Sequence, residues 1–416
     1  MGKPEIRFKG YTDEWEQRKL IDLVDVLDGD RGKNYPTSDD FDISGHTLFL
    51  NASNVTNDGF LFQDNQFITE EKSNSMGNGK LEEDDIVVTS RGSLGHIAWY
   101  NADISSFVPY ARINSGMLIL RNKKEIETEY LYHFMKSSKG QSQISFISFG
   151  SAQPQLTKKG VEDLEVILPT RRDEQVQLGH YFSNLDHLIT LHQRKCDEAK
   201  SLKKYMLQKM FPQNEQKVPE IRFEGFTEAW EQRKLGDWGN FYYGRSCPKW
   251  SVTEDATIPC IRYGELYTKF GAKIDRVYSY TNMPPENLRF SKGTEVLIPR
   301  VGEDPMDYNH CTWLSMQDVA IGEMISVFNT DNNPLFTATM FNATLQNEFA
   351  MRVEGGSVTN LYFEKLKNID VSFPSIPEQE KIAAYFENLD HLITLHQQKC
   401  EELKKIKKFM LQKMFV

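Results

Sequence analysis

The feature that most constrains this chain is a sixteen-residue segment that occurs twice. Residues 181–196 (YFSNLDHLITLHQRKC) return as residues 385–400 (YFENLDHLITLHQQKC), with fourteen of sixteen positions identical. Both copies continue to an identical MLQKMF, so each predicts a helix of about 35 residues, or roughly 50 Å. The apolar positions step by three and four, the pattern of a seam that faces another helix: Phe182, Leu185, Ile189, His192, Cys196 and Ala199, and then Phe386, Leu389, Ile393, His396, Cys400 and Leu403. The matching seams therefore predict two long helices packed on each other.

A second repeat sets the order of the domains. Residues 4–20 (PEIRFKGYTDEWEQRKL) recur as 219–235 (PEIRFEGFTEAWEQRKL), with thirteen of seventeen positions identical. The chain is therefore built twice, as a short repeat, an arm and a long helix. We predict five segments: the first short repeat and arm (1–174), a long helix (175–211), a linker (212–218), the second short repeat and arm (219–378), and a second long helix (379–416).

The two arms, about 21–169 and 236–373, share kinds of elements but little identity. In the first arm the pattern predicts strands at 46–55 and 60–68 around a turn at 57–59, a hairpin over 80–100 that turns at 90–95, a strand at 113–121 and a helix at 128–138. In the second arm it predicts strand and turn over 258–268 and 290–303, a strand at 319–328 and a helix at 335–349. In both arms an apolar run precedes an arginine near a glycine, Arg91 and Arg300. The fold class is α+β: two mixed domains separated by two long antiparallel helices, with a pseudo-two-fold repeat.

Composition excludes several classes of protein. Hydrophobic residues make up 39% of the 416 residues, but no window approaches the eighteen or so apolar residues that a membrane span needs. Five cysteines without CxxC spacing, and a start that lacks an apolar signal region, favour reduced thiols and a cytoplasmic location. The net charge of −10 argues, taken alone, against nucleic-acid binding. Each long helix nevertheless ends in a basic stretch, which is also what the helix dipole favours.

Signals for catalysis are scarce. The chain has no P-loop, GxSxG, HExxH or GxGxxG motif. The segment 331–336 (DNNPLF) faintly resembles the loop that holds a flipped adenine in amino-methyltransferases, but an ordinary turn is the favoured interpretation. His192 with Cys196, and His396 with Cys400, offer four ligands that would suit zinc. Packing on the helix seam is the simpler interpretation, so we expect no metal and no catalytic residue.

Polar and basic groups on the predicted loops are the candidates for binding. Arginine suits guanine edges, Gln and Asn suit adenine, and Ser and Lys suit phosphates. The candidates are Ser90, Arg91, Ser93, Arg112, Ser151, Gln153, Gln155 and Lys158 in the first arm, and Arg262, Tyr263, Lys292, Arg300 and Asn309 in the second.

With these motifs in view, the chain resembles a specificity subunit of a type I restriction-modification system. The resemblance rests on the twin helices ending in LQKMF, the twin PEIRF…WEQRKL segments, TSRGSLG at 89–95 and SAQPQLTK at 151–158. The second arm departs from it, with GGSVTNLYF at 355–363 in place of the QPQL loop. The resemblance implies that each arm is a target recognition domain reading one half of a bipartite DNA site, and that the helix pair sets the spacing.

The same resemblance implies the partners and cofactors. Two methyltransferase subunits and two ATP-driven restriction subunits would join this chain on double-stranded DNA, and would themselves bind S-adenosylmethionine, ATP and Mg. Because the repeated helices present one surface twice, we expect Leu188 and Leu392, which lie off the seam, to contact the methyltransferase subunits. Two alternatives are a coiled-coil scaffold that binds only proteins and a stand-alone DNA-modifying enzyme.

Overall fold

A computed structural model describes residues 3–148, 155–212 and 216–415. The chain divides into two compact units: unit 1 holds residues 1–193 and 398–416, and unit 2 holds residues 194–397. The two long helices run over Arg172–Lys209 and Ile376–Lys413, each 38 residues. Both begin with acidic residues and end with a lysine, an arrangement that complements the helix dipole. The boundary between the units falls inside each helix, so each unit contains the first half of one and the second half of the other.

The helix halves pack antiparallel inside each unit, as the repeated seam predicts. In unit 1 Phe182 stacks on Phe415, and Lys407 forms an ion pair with Asp186. In unit 2 Phe211 stacks on Phe386, and the ammonium of Lys203 lies 2.5 Å from Asp390. The start of one helix therefore meets the end of the other in both units. The repeated MLQKMF ends each helix in an apolar core, with Phe211 and Phe415 both buried.

The short repeat supplies one strand of a two-stranded sheet in each unit. Trp15–Lys19 pairs antiparallel with Glu165–Pro169, and Glu231–Lys234 pairs antiparallel with Asp370–Phe373. The partner strand directly precedes the long helix. The short repeat is therefore hydrogen-bonded to the chain at the junction between arm and helix. Trp15, the first residue of its strand, and its counterpart Trp230, which directly precedes the strand Glu231–Lys234, are both buried.

Each arm contains a larger sheet in which four strands follow the same order, and the sheet of unit 2 has a fifth strand at its edge. In unit 1 the order is Val24–Asp28, Met117–Asn122, Asp85–Thr89 and Ile97–Tyr100; in unit 2 it is Gly239–Tyr243, Ile325–Thr330, Glu295–Pro299, Thr312–Leu314 and Lys273–Ile274. Two helices pack near this sheet in each arm, Thr128–Lys136 and Ser138–Ser148 in unit 1 and Pro334–Thr344 and Gln346–Ala350 in unit 2. Although the arms share little identity, they share this topology.

A second sheet is also common to both arms, and each contains a parallel pair. The order is Phe67–Ile68, Thr47–Leu50 and Ala111–Ile113 in unit 1, and Ser279–Thr281, Ile258–Ile261, Gln317–Ile321 and Phe290–Lys292 in unit 2. The smaller sheets pair Val55–Thr56 with Gly59–Phe60, and Val301–Gly302 with Thr359–Asn360 and then Glu354–Gly355. The short helices are Leu20–Leu23, Glu70–Ser75, Ala102–Phe107, Lys158–Glu162, Leu235–Trp238, Tyr263–Thr268 and Phe363–Leu366.

The structure corrects three local predictions in the second arm. The strand predicted at 319–328 is two strands of different sheets, because the turn 322–324 interrupts it. Of the strand and turn predicted over 258–268, the strand is present and ends at Ile261, but a short helix, Tyr263–Thr268, takes the place of the turn. The segment 331–336 is a helix start: the side chain of Asn333 accepts a hydrogen bond from the backbone N–H of Phe336, with Pro334 at the first helical position. This is an ordinary N-cap.

Candidate nucleic-acid interface

The turn over residues 90–96 of unit 1 is fixed by its backbone. It joins the antiparallel strands Asp85–Thr89 and Ile97–Tyr100, as the sequence predicts. Gly92 and Gly95 have φ of +73° and +74°, which residues with a Cβ rarely adopt. The hydroxyl of Thr89 accepts a hydrogen bond from the backbone N–H of His96 at 3.0 Å and donates to the carbonyl of Ser93. The exposed Arg91 and Ser93 are therefore presented on a constrained turn.

Two predicted segments of the first arm meet at this turn. Arg91 Nε donates to Gln155 Oε1 at 3.0 Å, and the backbone N–H of Leu156 donates to the carbonyl of Ser90 at 3.0 Å. Lys158 is exposed at the start of a short helix, with its ammonium 3.8 Å from Glu162. Arg91 and Gln155 thus form one polar group, as a base-reading surface requires. The candidates Ser151 and Gln153 lie outside the described residues.

Arg112 does not fit the expectation that it contacts DNA. Its side chain is fully buried, and its guanidinium donates to the backbone carbonyls of Ser73, Gly77 and Asn78 at 2.6 to 2.8 Å. Burial lowers the pKa of Arg112 below its usual value. The residue holds the end of the helix Glu70–Ser75 and the residues that follow it in place. Ser90 is also buried, so its N–H and carbonyl position the turn while its side chain stays away from the surface.

The position in unit 2 that corresponds to Ser90 of unit 1 is occupied by Arg300. The backbone N–H of Arg300 donates to the carbonyl of Met324 at 3.2 Å, and its own carbonyl accepts from Leu361 at 2.8 Å. Ser90 makes the same two bonds in unit 1, to Gly116 and Leu156. Arg300 is therefore the counterpart of Ser90 rather than of Arg91. The segment 355–363 contains Leu361, which bonds Arg300 as Leu156 bonds Ser90, so it corresponds to the described residues 155–156 of the QPQL sequence, as predicted.

The side chain of Arg300 packs on an aromatic ring. Its guanidinium carbon lies 4.9 Å from the ring centre of Tyr243, and an Nη contacts the sulfur of Met324 at 3.0 Å. The Tyr243 hydroxyl donates to Glu364 at 2.8 Å. Burial and this hydrogen bond raise the pKa of Tyr243 to about 12. A neutral tyrosine therefore holds the Arg300 guanidinium in a defined position.

Of the other candidates of unit 2, Arg262 and Tyr263 lie near Arg300, and Lys292 and Asn309 do not. Arg262 is half-buried, and its backbone N–H donates to Glu265; it lies beside the turn 322–324, and Tyr263 follows it, 36% exposed. Lys292 is exposed on an edge strand. The amide of Asn309 donates to the carbonyl of Asn342. Asn309 therefore fastens its loop to a helix, and the structure brings only Arg262 and Arg300 together.

The helix positions proposed for partner binding are exposed. Leu188 and Leu392 are 40% and 43% exposed, whereas the seam leucines about one turn earlier, Leu185 and Leu389, are buried. Each immediately precedes a seam isoleucine, Ile189 or Ile393, so it lies on one flank of the seam.

The seam cysteines are packing residues. In unit 2 the thiol of Cys196 lies 3.9 Å from the carbonyl of Ile393; in unit 1 that of Cys400 lies 3.7 Å from the side-chain oxygen of Gln193. Among residues 3–148, 155–212 and 216–415, no group of three or more His, Cys, Asp or Glu side chains is arranged to hold a metal ion. Within the same ranges, no helix is both long and apolar enough to cross a membrane.

Sequence reasoning missed the ion pair that joins each short repeat to a long helix. Arg7 bonds both carboxylate oxygens of Glu174 at 2.7 and 2.8 Å, and Arg222 bonds those of Glu378 at 2.6 and 2.7 Å. The carboxylates are 1% and 0% exposed. The signal was present, because Arg occurs in both copies of PEIRF and Glu-Gln opens both helices.

Comparison with known proteins places this geometry in a family. The model described as "Type I restriction modification DNA specificity domain" matches residues 12–201 and 227–405. The type I restriction enzyme MjaIX specificity subunit of Methanocaldococcus jannaschii is 21% identical over 423 residues, covering 96% of this chain and 92% of the relative. The putative MjaX specificity subunit of the same organism is 23% identical, with 95% and 91% covered. A solved type I S subunit from M. genitalium shares the fold, with a TM-score of 0.66 at 15% identity over 100% and 99% of the two chains.

Proposed function

Because the chain belongs to the family of type I restriction modification DNA specificity domains, we propose that its two units read the two halves of one bipartite DNA site. Both halves of the chain match the family, and the chain is the non-catalytic specificity subunit of such a system. Its proposed role is to select the sequence on which partner subunits act.

One observation carries the bipartite reading. The two arms have one topology, yet the same place in the fold presents different groups. At the turn after the equivalent central strand, unit 1 exposes Arg91 bonded to Gln155, whereas unit 2 places Arg300 on Tyr243. Different donors at one place select different bases. The site is therefore expected to be asymmetric.

The partners follow from the repeated frame, by which we mean the two short repeats (4–20 and 219–235) and the two long helices. Two methyltransferase subunits, one for each copy of the repeated helix surface, would join this chain, and two restriction subunits would join them for cleavage. S-adenosylmethionine, ATP and Mg belong on those partners in this proposal. The net charge of −10 is compatible with DNA binding if the partners neutralise many phosphates. The isolated chain, a cytoplasmic protein with five free thiols, is then expected to bind DNA weakly.

An exposed apolar flank of the helices supports a docking site in each unit. In unit 1 it comprises Leu188 from one helix with Ile406 and Phe409 from the other; in unit 2 it comprises Leu392 with Leu202 and Tyr205. The two sets are related residue by residue through the repeat. All are between 37% and 50% exposed. Exposed apolar positions repeated on one flank are typical of a protein interface.

Charge placed on this flank tests the docking. Glutamate at both Leu188 and Leu392 should lower recruitment of the methyltransferase subunit, because each charge loses its hydration in an apolar contact. The matched control places glutamate at Thr190 and Thr394, which are also exposed but lie on another face of the same helices. Recruitment would be measured by native mass spectrometry. Undiminished binding of two subunits to the leucine variant would place the docking site elsewhere.

Replacement of one arm tests the bipartite reading. Residues 21–169 would be exchanged for the matching arm of a related specificity subunit, and the methylated motif determined by long-read sequencing of a host. One half of the motif should change and the other should remain. A change in both halves, or in neither, would refute independent reading by the two units.

A further inference from the structure

The arginines of unit 2 differ in their partners from most of the others. Of the seventeen arginines in the chain, eleven lie within 4.0 Å of a carboxylate oxygen in the described structure. Two of the remaining six are in unit 1: Arg112, which is buried against carbonyls, and Arg91. The other four are all in unit 2: Arg245, Arg262, Arg289 and Arg300.

These four arginines converge on the turn 322–324. Arg245 N–H donates to the carbonyl of Ile321 at 2.7 Å, and the carbonyl of Arg289 accepts from the N–H of Ile321 at 2.9 Å. Arg300 N–H donates to the carbonyl of Met324. A Cβ placed on Gly322 would lie 3.6 Å from the Cα of Arg262. Chain segments distant in sequence thus bring the backbones of four arginines to one turn.

Two of the four arginines, Arg289 and Arg300, are held on tyrosine rings and keep donors for a ligand. Arg289 lies 5.1 Å from the ring centre of Tyr242 and donates one Nη to the carbonyl of Tyr243, while Arg300 packs on the ring of Tyr243. Arg245 and Arg289 are exposed, and Arg262 and Arg300 are half-buried. Each guanidinium has five N–H donors. Tyrosine packing reduces the conformational freedom lost when such donors bind a ligand.

The nearby carboxylates are few and are partly engaged. Glu265 accepts from the backbone N–H of Arg262 and from Ser279, and Glu364 accepts from Tyr243. Glu323, on the turn itself, is exposed, but it is not within ion-pair distance of any of the four guanidiniums among the described contacts. None of the four guanidiniums has a carboxylate oxygen within 4.0 Å in the described structure, so repulsion among them is not offset by an ion pair. An anionic ligand would relieve that repulsion.

The equivalent place in unit 1 has a different charge. Gly29 and Gly244 correspond, since a Cβ on either would collide with a carbonyl of the facing turn, at Asn114 or Gly322. The next residue is Asp30 in unit 1 and Arg245 in unit 2. Asp30 accepts from the N–H groups of Gly32 and Gly77, which lower its pKa. The arginine cluster is therefore a property of unit 2 and not of the shared fold.

We propose that Arg245, Arg262, Arg289 and Arg300 together bind the phosphodiester backbone of DNA beside the half-site that unit 2 reads. This inference rests on the proposed function and adds the residues that anchor the second half-site. Backbone contacts fix the protein's register on DNA without specifying bases. Unit 2 then supplies more of this chain's phosphate neutralisation than unit 1.

The salt dependence of binding tests the inference directly. In the complex with its methyltransferase partner, the variant R245Q/R262Q/R289Q keeps Arg300 on Tyr243 and loses three cations. Binding to a duplex carrying the motif would be followed by fluorescence anisotropy between 50 and 200 mM salt. The slope of log affinity against log salt should become shallower by about 2.7, so the loss of affinity across this range shrinks by about 40-fold. The methylated motif should stay unchanged.

Two further variants check the charge and its location. R276Q removes an exposed arginine of unit 2 that packs on Tyr278, outside the cluster, and should leave the slope unchanged. E323Q removes the anion on the turn and should tighten binding. Thermal unfolding of each variant would show that the fold is intact.

Three outcomes would overturn the inference. They are an unchanged slope in the triple variant with the motif unchanged, an unchanged slope with an altered second half-site, which would make these arginines readers of bases, and an equal fall in slope with R276Q. The proposed function fails separately, if the unmodified complex shows no preference for its motif over a scrambled duplex.

Discussion

Replacing Arg91 with alanine separates base reading from phosphate binding in unit 1. Arg91 is exposed, and among the described residues its guanidinium is bonded through Nε to the side chain of Gln155, so its two Nη groups can form a fork toward a guanine edge. Loss of such a bidentate contact should cost about 1 to 3 kcal/mol, or about 5- to 150-fold in affinity. The stability of the fold should change by less than about 0.5 kcal/mol, because the side chain is on the surface.

The assay compares the complete motif with a panel of duplexes that differ at single positions. The Arg91→Ala complex should lose discrimination at one position of one half-site and retain it elsewhere. Arg91→Lys, which keeps the charge but loses the planar fork, should show the same relaxation. Lys158→Ala serves as the phosphate-type control, with weaker binding to all duplexes alike. If Arg91→Ala also weakens all duplexes equally, the assignment of Arg91 to a base edge is wrong.

Three other changes probe the frame. Glu378→Gln should destabilise unit 2 by about 3 to 5 kcal/mol, because it leaves the Arg222 charge buried and unpaired. A variant with apolar residues at both Glu378 and Arg222 should recover much of the lost stability. Chemical denaturation would measure both effects. Gly244→Ala should weaken binding to the second half-site only, since its Cβ would collide with a carbonyl of the facing turn; equal loss at both half-sites would contradict this. Inserting four residues after Gln193 and four after Gln397 lengthens each helix by about 6 Å, and should widen the unread gap by one or two base pairs; an active variant with an unchanged gap would show that the helices do not set the spacing.

The elements that could be predicted from sequence are those fixed by local pattern. The repeats predicted both long helices to within three residues at each end. Alternating apolar residues and a glycine-rich turn predicted the hairpin over 80–100. The prediction of one strand at 319–328 was wrong, because an apolar run has the same pattern whether or not a turn divides it. Gly322 was the only local sign of that turn.

The binding residues were harder to predict, because their roles depend on burial. Arg112 and Arg91 both occur in the predicted strand-and-turn region of one arm, yet one is fully buried and the other exposed. Nothing in the local sequence distinguishes them. The comparison of Arg91 with Arg300 failed for a related reason, since the backbone bonds align Arg300 with Ser90. Arg245 and Arg289 gained significance only from the turn on which they meet.

The frame is built so that an arm can change without loosening it. In unit 1 Gln175 donates to the carbonyl of Pro169 and accepts from the backbone N–H of Glu127, at 2.8 and 3.0 Å. In unit 2 Gln379 makes the same bonds to Pro374 and to the backbone N–H of Asn333, each at 2.9 Å.

Each of these four bonds reaches the arm or its edge through a backbone group, while a further bond of Gln379, to the side-chain oxygen of Asn332 at 2.7 Å, depends on an arm side chain. A backbone N–H or carbonyl is present whatever side chain the arm carries, apart from the N–H that proline lacks. The ion pair beside each glutamine lies wholly between the short repeat and the long helix. Selection for a new target sequence can therefore alter the exposed turns of an arm while the frame keeps its contacts, which explains how the short repeats and helices stay nearly identical between arms that share little sequence.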